Sequence, residues 1–513
     1  MDGKIMKANE GAQSHCSAQR SDEALEKVRG LRRLLGRRVP GPKRSLLSSI
    51  LTVIKIGLRP YVELRNLRDR YGDPFRMWVV GMGDVVATGR PEHIKQIFGL
   101  SPDKFTMMNT PMLEFFFGSR SLFTAEGDTH RRDKKLAFPH FKGERMRRYG
   151  ASMARCTLEE GGKHVEGEPV SLIDLARSIT LEVMMRTQLG ITDEEQIERI
   201  KILIHELSRC ENPLLGYKMF RREFWGFGPW AKFQRYNRPL REYLIELIRE
   251  RRKSDEVGED ILSLLAKSRY DDGTYMDEEH VSDHVFALLI AGYDTTANSI
   301  TWALERVLRD PFVYEQVFRE IVKLGPNADP NDLQYLPWLD AVCYEILRLY
   351  PPIEALPVRK LSVPLVLGDY VLTPGTGVCP LPGLTHRDPS IYEFPDEFEP
   401  QRFLNNKPSN FTFLPFGGGA RLCMGFAFAH YQMRVVLGTC IRAFEFELLD
   451  PLPEPKRYSI TIGPKSGSRV NLRLRARSAE IGSDVTRQSV SEEGTVGACP
   501  YTSTLNSSMD NGG

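Results

Sequence analysis

Apolar residues return every three or four positions through Leu172–Gly190, Glu194–Leu207, Pro239–Lys253, Val281–Leu308, Asp332–Leu349 and Phe426–Phe444, and this spacing predicts helices. Shorter runs rich in β-branched and aromatic residues predict strands at Phe75–Val80, Val85–Thr88, Leu365–Leu367 with Tyr370–Leu372, and Phe444–Leu449. The chain therefore reads as mainly α with small β-sheets. The pattern fades at both ends. Residues 1–38 form a polar lead-in that stops at Val39-Pro40-Gly41-Pro42, a stiff breaker from which a folded body can begin. Residues 478–513, rich in Ser, Thr, Gly and Asn without aliphatic periodicity, read as a disordered tail. Residues 39–477 contain no long Pro/Ser linker and no repeat, although 513 residues at about 150 per domain leave room for three domains.

Composition narrows the class. Hydrophobic residues are 41% and charged residues 27%, and Lys+Arg 70 against Asp+Glu 67 leaves +3. This globular balance excludes a disordered chain, a collagen-like repeat or a surface built as a whole to hold nucleic acid. Eight cysteines without a CxxC pair argue against a disulfide scaffold or a Cys-rich zinc site, and for a reduced, intracellular enzyme. No stretch reaches the roughly 18–20 continuous apolar residues of a membrane span. Leu46–Leu58 comes nearest, and it is short and carries Ser48, Ser49 and Lys55. The lead-in mixes acids with bases, unlike a signal peptide or a mitochondrial presequence, so a cytoplasmic location is expected.

The most informative segment runs from Phe413 through Gly417-Gly418-Gly419-Ala420-Arg421-Leu422-Cys423-Met424-Gly425. Three glycines allow a tight turn that presents backbone N–H groups, and Cys423 sits where a periodic helix begins. A thiol so placed is expected to have a lowered pKa, suited to a nucleophile or a metal ligand. A buried, inert cysteine beside a glycine turn is the alternative. A phosphate cradle fits poorly without a following Lys-Ser/Thr, and CxxCH haem attachment is missing. Read as Phe416-x-x-Gly419-x-Arg421-x-Cys423-x-Gly425, the loop resembles the haem-binding signature of the cytochrome P450 superfamily of haem-thiolate monooxygenases. The resemblance implies haem b (iron-protoporphyrin IX) with Cys423 as its proximal thiolate and Arg421 on a propionate. Phe416 and Gly425 complete the cofactor-binding loop.

Other motifs follow in family order over about residues 40–475, and the resemblance implies a single haem-thiolate domain. Within the long helical pattern, Ala291-Gly292-Tyr293-Asp294-Thr295-Thr296 lowers helix propensity, and Thr295 can bond back to the carbonyl of Ala291, bending or opening the helix beside Gly292. The segment is similar to the family's oxygen-activation motif, which implies that Thr295 steadies dioxygen and its water while Asp294 helps relay protons. Glu345 and Arg348 share one helical face and resemble the ExxR motif, completed by Arg402. Such a triad is expected to fix the fold around the cysteine loop. His130 and Lys134 occupy the positions of a helix that often reads Trp-x-x-x-Arg, and Arg359 resembles a strand position; all three are implied as propionate contacts. His386-Arg387 carries no assigned chemistry.

Met107, Met108, Met112, Leu113, Phe115, Phe116 and Phe117 read either as a flexible apolar substrate wall or as core, and a second aromatic cluster spans Phe220 to Trp230. A hydrophobic small-molecule substrate is expected: a fatty acid, terpenoid, steroid or polyketide. Glu354 either holds a polar substrate group or faces solvent. No flavin or iron–sulfur domain follows the last helix, which implies a separate ferredoxin or flavodoxin with its NAD(P)H reductase. The basic stretch Arg131, Arg132, Lys134, Lys135, Lys142, Arg145, Arg147 and Arg148 is a candidate docking face, with no aromatic platform that would suit nucleic acid. Members of the soluble bacterial type are the nearest in kind. A same-fold peroxygenase or hydroperoxide-rearranging enzyme and a non-enzymatic haem-binding sensor are the rival readings.

Overall fold

The computed structural model describes residues 37–475, apart from 109, 142–143, 211–214, 216–219, 223–225, 256–257, 407 and 459. Nearly all of the lead-in and all of the tail from 478 lie outside the described residues. The centre is the 32-residue helix Glu278–Arg309, whose start is capped by Asp277 accepting from the His280 N–H. It packs against the helices Leu172–Gln188, Pro229–Lys253, Pro337–Leu349 and Phe426–Ala443. Leu172–Gln188 is buried on most of its circumference, as a helix enclosed by others must be. Trp302 is fully buried and stacks on Tyr350 with ring centroids 3.9 Å apart.

Beside the helices lies a five-stranded sheet in the order Phe75–Val79, Gly83–Thr88, Gly377–Pro380, Arg359–Leu361, Phe105–Met107. Gly83–Thr88 and Gly377–Pro380 run parallel, with Val85 opposite Gly377, and the remaining pairs are antiparallel. Opposite Met107 in this register stands Arg359, so the sheet fixes where that guanidinium starts.

Two expected helix starts shift. Pro239 lies inside a helix that begins at Pro229, because buried Phe233, Leu240 and Leu244 hold the helix together across the missing N–H. The helix expected from Asp332 begins at Pro337, after a separate 3-10 turn over Pro330–Tyr335, with proline at its first position. Among the described residues no helix is long and apolar enough to cross a membrane. Leu46–Leu58 is a helix whose Leu46, Leu47, Ile50, Leu51, Val53, Ile54 and Leu58 are exposed.

Candidate functional site

The cysteine loop is shaped by its contact with the end of the Pro91–Phe98 helix. Gly419 has φ +62°, and a Cβ there would sit 2.2 Å from the carbonyl oxygen of Phe98. The Cys423 N–H donates to the carbonyl of Phe416 at 2.9 Å and closes the loop, and Gly425 caps the helix Phe426–Ala443. Cys423 thus lies two residues before the cap, slightly outside the position expected for it. Its side chain is accessible, unlike those of Cys156, Cys210, Cys343, Cys379 and Cys440.

The expected fall in thiol pKa does not occur. Burial pushes Cys423 above its ordinary value, against the Gly425 N–H and the Lys134 ammonium, which favour the thiolate. An accessible surface and a desolvated sulfur are compatible when one side of the atom is open and the rest is ringed by protein.

Three cations and one imidazole gather at this loop. Lys134 donates to the carbonyl of Ala420 at 2.9 Å, and Arg359 donates to those of Ile97 at 2.6 Å and Gly418 at 2.8 Å. Arg421 donates to the carbonyls of Leu122 at 3.1 Å and Ala125 at 2.8 Å. His130 is buried beside them. Burial, then the charge of Arg421, holds Arg359 down to about 10 and His130 to about 3; burial first also lowers Lys134, and burial holds Arg421 to about 10. Among the described residues no carboxylate forms an ion pair with any of the four.

In the central helix the Thr295 hydroxyl donates to the Ala291 carbonyl at 2.7 Å, as its spacing predicts. The helix nevertheless runs unbroken through this stretch, and in the next turn the Ser299 hydroxyl bonds back in the same way to the Thr295 carbonyl at 2.9 Å. Gly292 is partly accessible, and on the side where a Cβ would project it faces the Met184 methyl at 2.9 Å. The accessible stretch takes in Leu288, Ile290, Ala291, Gly292, Asp294 and Thr295, in a helix buried on both sides of it. Asp294 accepts from Arg177 Nε at 3.1 Å.

Glu345 and Arg348 are both fully buried. Arg348 grips the carboxylate with two bonds of 2.7 and 2.8 Å, and its other N–H groups reach the carbonyls of His386, Pro395 and Glu397. Arg402 joins at 3.3 Å. His386, which the sequence left without a role, ties this cluster to the cysteine segment. Its Nε2 accepts from the Leu414 N–H at 2.7 Å, so Nδ1 carries the proton and donates to the Arg348 carbonyl at 3.0 Å. Its signal in the sequence was only its place between ExxR and the loop. Glu354 neither faces solvent nor stands free for substrate: it is buried and paired with Arg457.

Phe116 and Phe117 belong to the core, whereas Leu113 and Phe115 are partly accessible. Phe233 joins the two aromatic clusters, with ring centroids 5.4 Å from Phe115 and 5.5 Å from Trp230. Residues 223–225 of the second cluster lie outside the described residues, as do Lys142 and the side chains of Met112 and Arg145.

Residues 39–468 match the cytochrome P450 family. Putative cytochrome P450 138 of Mycobacterium tuberculosis is 31% identical over 410 residues, covering 79% of this chain and 90% of its own. Putative cytochrome P450 135B1 of Mycobacterium bovis is 30% identical over 457 residues, covering 88% and 94%. Two solved structures share the fold. Retinoic acid bound cyanobacterial CYP120A1 superposes with TM-score 0.71 at 23% identity over 80% of this chain and 94% of that one. The cytochrome P450DA heme domain gives 0.74 at 20% over 86% and 99%. The chain belongs to the cytochrome P450 family, whose members are haem-thiolate monooxygenases. Haem b, held through a cysteine thiolate, is the cofactor of that family. The residues present fit such a group: an accessible thiol lies in a loop with three buried or half-buried cations that have carbonyl partners and, among the described residues, no counter-anion, as an acidic macrocycle requires.

Proposed function

We propose that Cys423 is the proximal thiolate and that His130, Lys134, Arg359 and Arg421 hold the haem propionates, with Phe416 and Gly425 shaping the loop. The observation that carries this reading is the gathering of Lys134, Arg359 and Arg421, with the buried imidazole of His130 beside them, at Gly418–Arg421, two residues from an accessible thiol. Bound haem supplies the chemistry of dioxygen activation and oxygen insertion. The chain supplies the rest. Thr295 and Asp294 lie on the accessible stretch of the central helix, where a hydroxyl and a carboxylate can hold and pass protons. Arg177 orients that carboxylate through its Nε–H bond. Glu345, Arg348 and Arg402 hold the segments flanking the cysteine loop.

The substrate of this proposal is a hydrophobic small molecule of fatty-acid, terpenoid, steroid or polyketide type. Leu113 and Phe115, partly accessible beside Phe233, support an apolar wall, and the neighbouring fold of CYP120A1 is bound to retinoic acid. Electrons come from a ferredoxin or flavodoxin with its NAD(P)H reductase, in the cytoplasm. Recovery of most native protein in washed membranes would overturn the location, and the exposed apolar helix Leu46–Leu58 makes that measurement worthwhile.

The test is the reduced-CO minus reduced difference spectrum of the haem-loaded protein. A long-wavelength Soret band, lost in Cys423→Ser, is expected. A native band in that variant sinks the ligand assignment. Thr295→Val should keep the band while product formed per reductant consumed falls; turnover with peroxide but not with reductant and O2 would instead favour a peroxygenase.

A further inference from the structure

A second cluster of ligand-type side chains, beside His130 and Lys134 but taking no part in the cysteine loop's contacts, lies where the helix Gly127–Ala137 meets the first turns of Glu278–Arg309. Asp133 stands on the first helix; His280 and His284 stand four apart, one above the other, on the second. All three are buried, and their candidate ligand atoms lie within 4.8 Å of one another. Asp133 Oδ2 is 3.0 Å from His280 Nε2 and 3.6 Å from His284 Nε2. Four-coordinate zinc with bonds of about 2.0–2.1 Å separates neighbouring ligand atoms by about 3.3–3.4 Å, so the two spacings straddle the required value. The imidazoles are perpendicular, with centroids 4.8 Å apart.

Hydrogen bonding leaves this cluster unfinished. Asp133 Oδ2 and His280 Nε2 are close enough to bond but poorly directed, and among the described residues both ring nitrogens of His284, which is 1% exposed, have no hydrogen-bond partner. A contact between Asp133 and His280 alone would still leave the second imidazole orphaned. The nearby Asp283 does not answer the need, because its carboxylate takes the Arg120 N–H and Arg241. By contrast, the other oxygen of Asp133 accepts from the Tyr270 hydroxyl at 2.8 Å, with Arg132 lying 3.8 Å over that ring. Such a bond orients a metal-ligating carboxylate from behind. His280 also lines a surface cleft of about 540 Å³ with Arg120, Thr124, Glu126 and Thr129, so the cluster adjoins an approach from solvent.

We propose that Asp133, His280 and His284 bind one divalent transition-metal ion of the zinc class and so clasp the helix Gly127–Ala137 to the central helix. Two imidazoles at i,i+4 with one carboxylate suit zinc better than magnesium or calcium, which prefer all-oxygen sites. Zinc satisfies every orphaned atom of the cluster except one nitrogen of His284.

The experiment titrates chelator-stripped, haem-loaded protein with Zn2+ by calorimetry and counts zinc per chain after gel filtration. About one zinc per chain is expected, with a higher thermal midpoint on binding. His280→Gln, at the cleft edge, should abolish both effects while the CO difference band shows that the protein remains folded. Tyr270→Phe removes only the supporting bond and should weaken binding roughly ten- to hundredfold. No zinc retained by the wild type, or equal uptake by wild type and His280→Gln, overturns the proposal. Because the readout is zinc content, its failure is distinct from failure of the haem assignment.

Discussion

At the scale of single residues, His386 shows how a buried imidazole can be structural and pH-sensitive together. Burial, and then the charges of Arg348 and Arg387, hold its pKa down to about 3 from 6.5, so it is neutral in the folded protein and protonated in the unfolded chain below about pH 6.5. Stability from this group is full above 6.5 and is lost as pH falls toward 3. His130 and His284, lowered to about 3 and about 4, act in the same direction. Urea unfolding midpoints should therefore decline steadily below pH 6.5, by up to about 1.4 kcal/mol per pH unit for each such histidine. His386→Ala should cost roughly 2–5 kcal/mol at pH 7.5, since it orphans the Leu414 N–H and the Arg348 carbonyl and leaves a cavity. The same variant should show a shallower acid slope, and an unchanged slope would remove His386 from the account. Thr295 and Arg348 were legible because their partners lie three or four residues away on one helix. His386 was not, because its partners stand 38 and 28 residues away and no periodicity marks them.

At the scale of elements, the apolar period located the helices Leu172–Gln188, Glu194–Ser208 and Phe426–Ala443 almost to their ends. Proline misled it twice, since the same residue that opens a helix at Pro337 sits inside one at Pro239. The strand Gly377–Pro380 escaped because all four residues are buried, so it shows no alternation, and its parallel partner is about 290 residues away. The thiol pKa was misjudged for a related reason: a glycine-rich loop announces backbone donors but not the protein packed around the sulfur. What joins these separate elements at the site is the ion pair on Pro337–Leu349. Glu345 neutralises Arg348 with neither side chain exposed, so breaking the pair leaves an uncompensated buried charge. Glu345→Gln should destabilise the protein by about 3–5 kcal/mol and lower its haem content, whereas Glu399→Gln, at the accessible edge of the same cluster, should do little. Denaturant midpoints and the haem-to-protein absorbance ratio would measure both, and equal behaviour of the two variants would contradict a buried clasp.

At the scale of the whole molecule, the near-neutral net charge hides an uneven surface. The basic stretch read from the sequence is more compensated than its linear spacing suggests. Arg131 meets Asp128, Lys135 meets Asp271 and Arg148 meets Glu259, while Lys134 turns inward to the cysteine loop. Arg147 leans on Tyr335 without an acidic partner among the described residues. Arg147 and Arg148 stand near the start of the helix Glu144–Gly162, which packs against the helix that follows Cys423. An acidic electron donor docking over that helix would meet these guanidinium groups first, and attraction between exposed charges fades over about 8–10 Å as salt rises. Reversing both to Glu should therefore slow reduction by the partner and flatten its dependence on ionic strength. The exposed pair with Glu259 contributes little to stability, so the thermal midpoint should barely move and the effect can be assigned to docking. Stopped-flow reduction at several salt concentrations decides the matter: unchanged rates, or a rate that falls equally at low and high salt, would place the donor on another face of the molecule.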